Sequence, residues 1–280
     1  MTKGVVLFAS NNSMTNYLKQ ANWLAYRIRK YLDLPTTLIT DDDVKNKFPE
    51  YIDNFDCIIN VDTLKSQYAN RRYHDGSIAN RVLPFNNGNR ALAYDLSPYE
   101  ETIVMDTDYV IANSLLNSCF DQKQDFLIYD TATHLGNYSD NIEFKNISDT
   151  SVKFYWATVF FFRKTETNKI FFDLIKHIQE NYLHYRSVYQ FKSNVFRNDF
   201  AFSIAIHIMN GYQKGNFAGK LPGKHFYIID KDVLHRLQDD EFTVMIEKPN
   251  RLGEYNLAKI KGSNLHVMNK FSLERIIDSQ

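Results

Sequence analysis

The chain has 280 residues and a formal net charge of zero, with 33 Lys and Arg against 33 Asp and Glu. Hydrophobic residues make up 44% and charged residues 24%, which excludes a disordered or fibrous chain and leaves enough apolar mass for a sizeable core. No run approaches the roughly 18 unbroken apolar residues of a membrane-spanning helix.

The two cysteines, Cys57 and Cys119, lack metal-ligand spacing and are expected to be buried free thiols in a reducing compartment. The apolar run behind Met1 is too short for a signal peptide, so the expected location is the cytoplasm. Neutrality hides an asymmetry: residues 1–140 are acidic and residues 141–280 basic. The basic excess concentrates between Arg163 and Arg236, where 12 basic residues face 6 acidic ones, a balance that can meet a polyanion.

In chain order, Val5–Ala9 predicts a first strand ending in Ser10 and Asn11. A helix follows from an N-cap at Ser13 or Thr15, with Leu18, Ala21, Ala25, Ile28 and Leu32 on its apolar face, and Pro35 stops it. Thr36–Thr40 is a second strand, closed by Asp41, Asp42 and Asp43, and Cys57–Val61 a third. A helical region is expected from Ile78 to Leu96, interrupted at Pro84 and Gly88. Thr102–Asp106 and Phe126–Tyr129 are further strands. This alternation predicts an α/β fold with a mixed, mostly parallel sheet flanked by helices. Its ligand side is the carboxyl end of the strands.

Val152–Arg163 predicts a buried strand, and Thr165 caps a helix running to about Tyr182. Asn198 or Asp199 caps another helix, from Phe200 to about Asn210. A glycine-rich loop spans Gly211–Gly223. Short strands are expected at Phe226–Ile229, Phe242–Ile246 and Leu257–Ile260, and Leu265–Met268 is apolar around His266. No linker divides the chain, so one domain over residues 1–280 is expected.

The sharpest chemical feature is Asp106-Thr107-Asp108 at the end of an apolar strand. Two carboxylates held there repel each other unless a cation lies between them, and a hard divalent cation with oxygen ligands resolves that cost. Ordinary loop aspartates give the same triplet. By its position at a helix N-terminus Asp199 reads as a cap, and His266, alone in an apolar segment, as a packed histidine.

The stretch from Asn89 to Val110, with Arg90, Pro98-Tyr99 and the Asp106-Thr107-Asp108 triplet, resembles the GT-A glycosyltransferases, and element order extends the resemblance over residues 1–130. It implies a GT-A-like fold with a nucleotide-sugar-binding half (1–130) and an acceptor-binding half (131–280). It implies a hexosyl- or pentosyltransferase whose Mn²⁺ or Mg²⁺ is held by Asp106, Asp108 and His266. Arg90, Thr107 and Lys270 then contact the donor, a UDP-sugar before other nucleoside diphosphate sugars, with Ser10, Asn11 and Asp41 on its base and ribose. Asp199 faces the acceptor, as general base in an inverting enzyme or as a sugar-positioning group in a retaining one. The Gly-x-x-Lys-Pro-Trp tail of the glycogenin-like branch is missing. Trp156-Ala157-Thr158-Val159 stands where many relatives have an Asn-Ala-Gly-like strand.

Size and composition also resemble the small glycosyltransferases of tailed bacteriophages, which implies a hydroxymethylated cytosine of phage DNA as acceptor and the host cytoplasm as location. The basic Arg163–Arg236 region interleaves Phe171, Phe172, Tyr182, Tyr185, Tyr189, Phe191, Phe196 and Tyr212, which stack on bases or build the core. The alternatives are a glycan- or protein-directed transferase and a non-catalytic sugar-nucleotide binder of the same fold. Dinucleotide, Walker and serine-hydrolase signatures are absent from the sequence, as are the clustered ligands of a two-metal phosphohydrolase.

Overall fold

Strands covered on both faces need no polar alternation, and the short apolar runs of this chain become the strands of one central sheet. The computed structural model describes residues 2–62, 64, 70–136, 145–148, 152–191 and 196–280. The chain runs through β1 (Lys3–Phe8), α1 (Tyr17–Leu32), β2 (Thr36–Thr40), α2 (Val44–Lys47) and β3 (Cys57–Asn60), then a hairpin of β4 (Asn70–Asp75) and β5 (Ala79–Pro84). A tight helical turn at Arg90–Leu92 leads into α3 (Ala93–Leu96), β6 (Glu101–Met105), β7 (Tyr109–Val110), β8 (Phe126–Tyr129) and β9 (Thr133–His134). Next come β10 (Trp156–Arg163), α4 (Glu166–Glu180), α5 (Tyr182–Tyr189) and α6 (Asn198–Met209). The last elements are β11 (Gly219–Lys220), β12 (Phe226–Ile228), β13 (Val233–Gln238), β14 (Glu241–Glu247), β15 (Tyr255–Lys261), β16 (Leu265–Val267) and α7 (Lys270–Asp278).

The central sheet has seven strands in the order β11-β8-β10-β6-β1-β2-β3. β1 pairs in parallel with β2 and β6, and β2 with β3, while β10 is inserted antiparallel between β6 and β8. This is the mixed, largely parallel α/β sheet flanked by helices that the sequence predicts. Its core is dense in phenylalanine: the Phe126 and Phe171 rings lie 4.6 Å apart and those of Phe162 and Phe172 4.9 Å apart. The aromatics between Arg163 and Arg236 therefore serve mainly as core. Phe171, Phe172, Tyr182, Phe191 and Phe196 are buried, Tyr185 and Tyr189 partly so, and Tyr212 is exposed.

A second sheet, β7-β16-β12-β9, carries the C-terminal segment back to the end of β6. β16 pairs antiparallel with β7, setting His266 opposite Tyr109. The meander β13-β14-β15 packs Leu234, Phe242, Val244 and Ile246 with Leu265, Val267 and Leu273 in a separate apolar cluster. Among the described residues no helix is long and apolar enough to cross a membrane.

Several boundaries differ from expectation. The expected helix from Ile78 begins instead as the β4–β5 hairpin, with Asn70 opposite Pro84 and Asp75 opposite Ala79. Gly76, at φ +71°, takes the left-handed conformation of its turn. The N-cap of α1 is Asn16, whose side chain accepts from the Lys19 amide. Asn12 Oδ1 accepts the amides of Met14 and Thr15, so Ser13 and Thr15 belong to the preceding turn. Helix α6 starts at Asn198 with Arg197 in the N-cap position, so Asp199 lies inside its first turn rather than capping it. Cys119 is buried, which pushes its thiol up to about 12, whereas Cys57 is only partly buried on the edge strand β3. Neither is in a disulfide.

Candidate metal centre

The centre is built by one turn and one strand pairing. At the end of β6 the Asp106 amide donates to the Thr158 carbonyl of β10 at 2.8 Å, and the Tyr109 amide donates back to the Asp106 carbonyl at 3.0 Å. This tight turn holds Asp106, Thr107 and Asp108 at the carboxyl end of a central strand. The Val267 amide donates to the Asp108 carbonyl at 2.9 Å, bringing His266 alongside.

One ligand atom from each of Asp106, Asp108 and His266 lies within 4.8 Å of the others. His266 Nε2 is 3.4 Å from Asp108 Oδ2, and its Nδ1 is buried without a hydrogen-bond partner. Two carboxylates and an imidazole at this spacing, with one imidazole nitrogen unsatisfied, fit a divalent cation such as Mn²⁺ or Mg²⁺.

Each carboxylate of the site also has its own cation. Burial opposes ionisation of Asp108, but Lys270 and His266 outweigh it and hold the carboxyl well below the usual range. The Lys270 ammonium donates to Asp108 Oδ2 at 2.6 Å. Arg90 pairs with Asp106 and donates to the Ala157 carbonyl at 3.1 Å. Burial lowers the Arg90 guanidinium to about 10, with Asp108 and Asp199 opposing that shift. Asp199 accepts the Ala157 amide on Oδ1 at 2.9 Å and the Arg197 fork on Oδ2 at 2.7 and 3.1 Å.

A cavity of about 290 Å³ opens on these groups, and Asp106, Thr107, Asp108, Arg90, Asp199, His266 and Lys270 all line it. Thr107 also donates to Gln20 of α1 at 3.4 Å. Ser10, Asn11 and Asp41 lie outside this lining, in loops they tie together. The Ser10 backbone meets the Asn87 side chain at 2.7 and 3.2 Å. Asn11 Oδ1 accepts the Leu18 amide, and Asp41 Oδ2 the Leu64 amide.

No family model matches the chain, and no curated protein does. Among solved structures it is similar to the glycosyltransferase GlyE of Streptococcus pneumoniae TIGR4, at 12% identity over 79% of this chain and 45% of that chain, with a TM-score of 0.43. The apo form of GlyE gives 14% identity over 77% and 45%, with a TM-score of 0.39. An active-site mutant of LgtC gives 11% identity over 72% and 69%, with a TM-score of 0.42. The chain spans less than half the length of GlyE.

Trp156 and Thr158, from the Trp156-Ala157-Thr158-Val159 segment, also line the cavity. Other lining residues are ones that the sequence does not single out. Asn87 comes from the polar run Asn86-Asn87-Gly88-Asn89, and Arg71 and Arg72 from β4, ahead of the expected helix. Behind the centre His225 is fully enclosed, 5.0 Å from the Tyr129 ring, 5.3 Å from Trp156 and 5.6 Å from His266. Burial, reinforced by His266, pushes its pKa well below the usual imidazole value, so His225 packs as a neutral ring behind His266, outside the cavity lining. Nothing in the sequence around His225 marks this role.

Proposed function

We propose that the protein is a metal-dependent glycosyltransferase that moves a sugar from a nucleoside diphosphate sugar to an acceptor hydroxyl. One observation carries the reading: Asp106, Asp108 and His266 converge within 4.8 Å at the carboxyl end of a central strand, facing a cavity of about 290 Å³. In this reading the three residues hold Mn²⁺ or Mg²⁺, and a cation bound there stabilises negative charge on a departing diphosphate. Lys270 and Arg90 stand beside the carboxylates and, with Thr107, orient the donor. Asp199 serves the acceptor side, holding a proton at its carboxylate or positioning the sugar. The reading assigns Ser10, Asn11 and Asp41, which lie outside the cavity lining, to the base and ribose of a UDP-sugar. Residues 1–130 supply the donor half of a single domain, and residues 131–280 the acceptor half.

The basic excess between Arg163 and Arg236 supports the specific version of this reading, in which the acceptor is a hydroxymethylated cytosine of phage DNA. A glycan or protein acceptor is supported by a different observation. Most of the aromatic residues in that region are buried, which leaves few rings to stack on an exposed base.

Calorimetry with UDP, GDP and CDP, each with and without Mn²⁺, tests the proposal. The expected result is metal-dependent binding of one nucleotide, and loss of transfer in Asp106→Asn and Asp108→Asn with circular dichroism unchanged. No binding under any condition, or full activity in either variant, sinks it. For a DNA acceptor, affinity must also fall steeply with salt.

A further inference from the structure

Arg71 faces the same cavity and has no task in the site described so far. Side chains alternate along β4, so Arg71 shares a face with Tyr73, and Asn70 and Arg72 share the other. The Tyr73 face is the inner one: Tyr73 is buried, with its hydroxyl 2.9 Å from that of Tyr17. The Arg71 guanidinium lies 5.9 Å from the centre of the Tyr73 ring and 5.7 Å from that of Phe85. Contact with two rings restrains a guanidinium while its N–H groups stay available for hydrogen bonds. Arg72 is exposed at the rim of the cavity.

The charges of the lining do not balance. Its carboxylates are Asp106, Asp108 and Asp199, and these are matched one by one with Arg90, Lys270 and Arg197. Arg71 and Arg72 are left over, and among the described residues neither has a carboxylate partner. A divalent cation at the candidate centre widens the excess. Two unmatched guanidinium groups in a concave site attract an anion that the protein does not itself supply.

We propose that Arg71, with Arg72 at the rim, forms an oxyanion subsite that takes a phosphate-type group without a metal, separate from the Asp106–Asp108–His266 centre. Only the source of the oxyanion rests on the transferase reading. It is the diphosphate of the donor or a phosphate carried by the acceptor, and the arginine fork recognises both in the same way.

The test is calorimetry of the full chain with inorganic pyrophosphate in EDTA. Wild type binds, Arg71→Gln weakens binding by about tenfold or more, and Arg71→Lys, which keeps the charge without the fork, recovers only part of it. Arg72→Gln, at an exposed position where folding is not at stake, weakens binding by a smaller factor. Pyrophosphate binding that requires a metal, or that is unchanged in both Gln variants, overturns the proposal. A second arm titrates inorganic phosphate into protein saturated with Mn²⁺ and UDP. Binding that survives and needs Arg71 assigns the subsite to a second substrate, and exclusion assigns it to the donor; both uphold it. If no nucleotide binds while pyrophosphate still needs Arg71, the transferase reading falls and the subsite stands.

Discussion

The Lys270 ammonium donates to Asp108 Oδ2 at 2.6 Å, and both side chains are only 5% exposed. One partner sits in the turn after β6 and the other is the first residue of α7, so the pair locks the C-terminal helix onto the candidate centre. Removing one member of a buried pair leaves an uncompensated charge, at a cost of about 3–5 kcal/mol. Lys270→Met is therefore expected to destabilise the metal-free protein by about that amount. A divalent cation bound at Asp108 takes over the compensation, so Mn²⁺ should raise the Tm of the variant more than that of wild type. Thermal unfolding in EDTA and in Mn²⁺ checks this. Equal Mn²⁺ shifts in the two proteins argue against a cation at Asp108.

His266 makes a separable prediction. It reaches the centre through its strand pairing with Tyr109, and its removal leaves the Asp106–Asp108 turn in place. His266→Ala should weaken Mn²⁺ binding by more than the roughly 10–100-fold that loss of an outer-shell partner costs. The readout is free Mn²⁺ measured by electron paramagnetic resonance during a titration. An unchanged affinity makes His266 a packing residue beside His225.

The legible parts of the molecule are those where apolar sequence and burial coincide. β8 and the end of β6 are continuous buried apolar runs, and β2 is buried throughout and β-branched at every position but Leu38, so the sequence places them and the Asp106-Thr107-Asp108 turn almost to the residue. The β4–β5 hairpin is illegible for the opposite reason. Asn70-Arg71-Arg72-Tyr73-His74-Asp75 is largely polar because its ribbon buries little beyond Tyr73 and Leu83, so period-two patterning is absent. That is why the two unmatched arginines escape a sequence reading. His225 escapes it too, since its enclosure by Tyr109, Tyr129 and Trp156 is assembled from distant segments. Asp199 is placed on the correct helix but lies two positions past the N-cap, and its carboxylate holds the Ala157 amide across to β10 instead of capping its own helix.

Arg275 of α7 pins the hairpin by donating to both oxygens of Asp75, at 2.7 and 2.8 Å. These bonds hold the Asp75 carboxyl below its ordinary value of 3.8, against the opposing effect of partial burial. A folded-state pKa lower than the unfolded one gives stability that is present above about pH 4 and is lost as pH falls through the folded value. Both groups are substantially solvent-screened, so the contribution is about 0.2–1 kcal/mol. Asp75→Asn should lower stability by that amount at pH 7, by less in high salt, and by nothing at strongly acid pH. Urea unfolding of the two proteins across that pH range is the measurement, and a difference that persists in acid refutes the ion-pair account.

Asp199 offers the clearest separation of chemistry from positioning. Its Oδ1 fixes the Ala157 amide and its Oδ2 meets Arg197, while the carboxylate lines the cavity. Asp199→Asn keeps an oxygen for the Ala157 amide and gives up the charge. Asp199→Ala gives up both and leaves a backbone donor unsatisfied, at a cost of about 1–3 kcal/mol. Stability in the Asn variant, which loses the charge facing the partly exposed Arg197, should stay within about 1 kcal/mol of wild type, and nucleotide affinity with it. If the carboxylate handles the acceptor proton, turnover in that variant falls by about 10²–10⁴-fold with no matching loss of Tm. A turnover defect that appears only in Asp199→Ala, together with its lower Tm, identifies Asp199 as the residue that holds β10 in place rather than one that touches the reacting atoms.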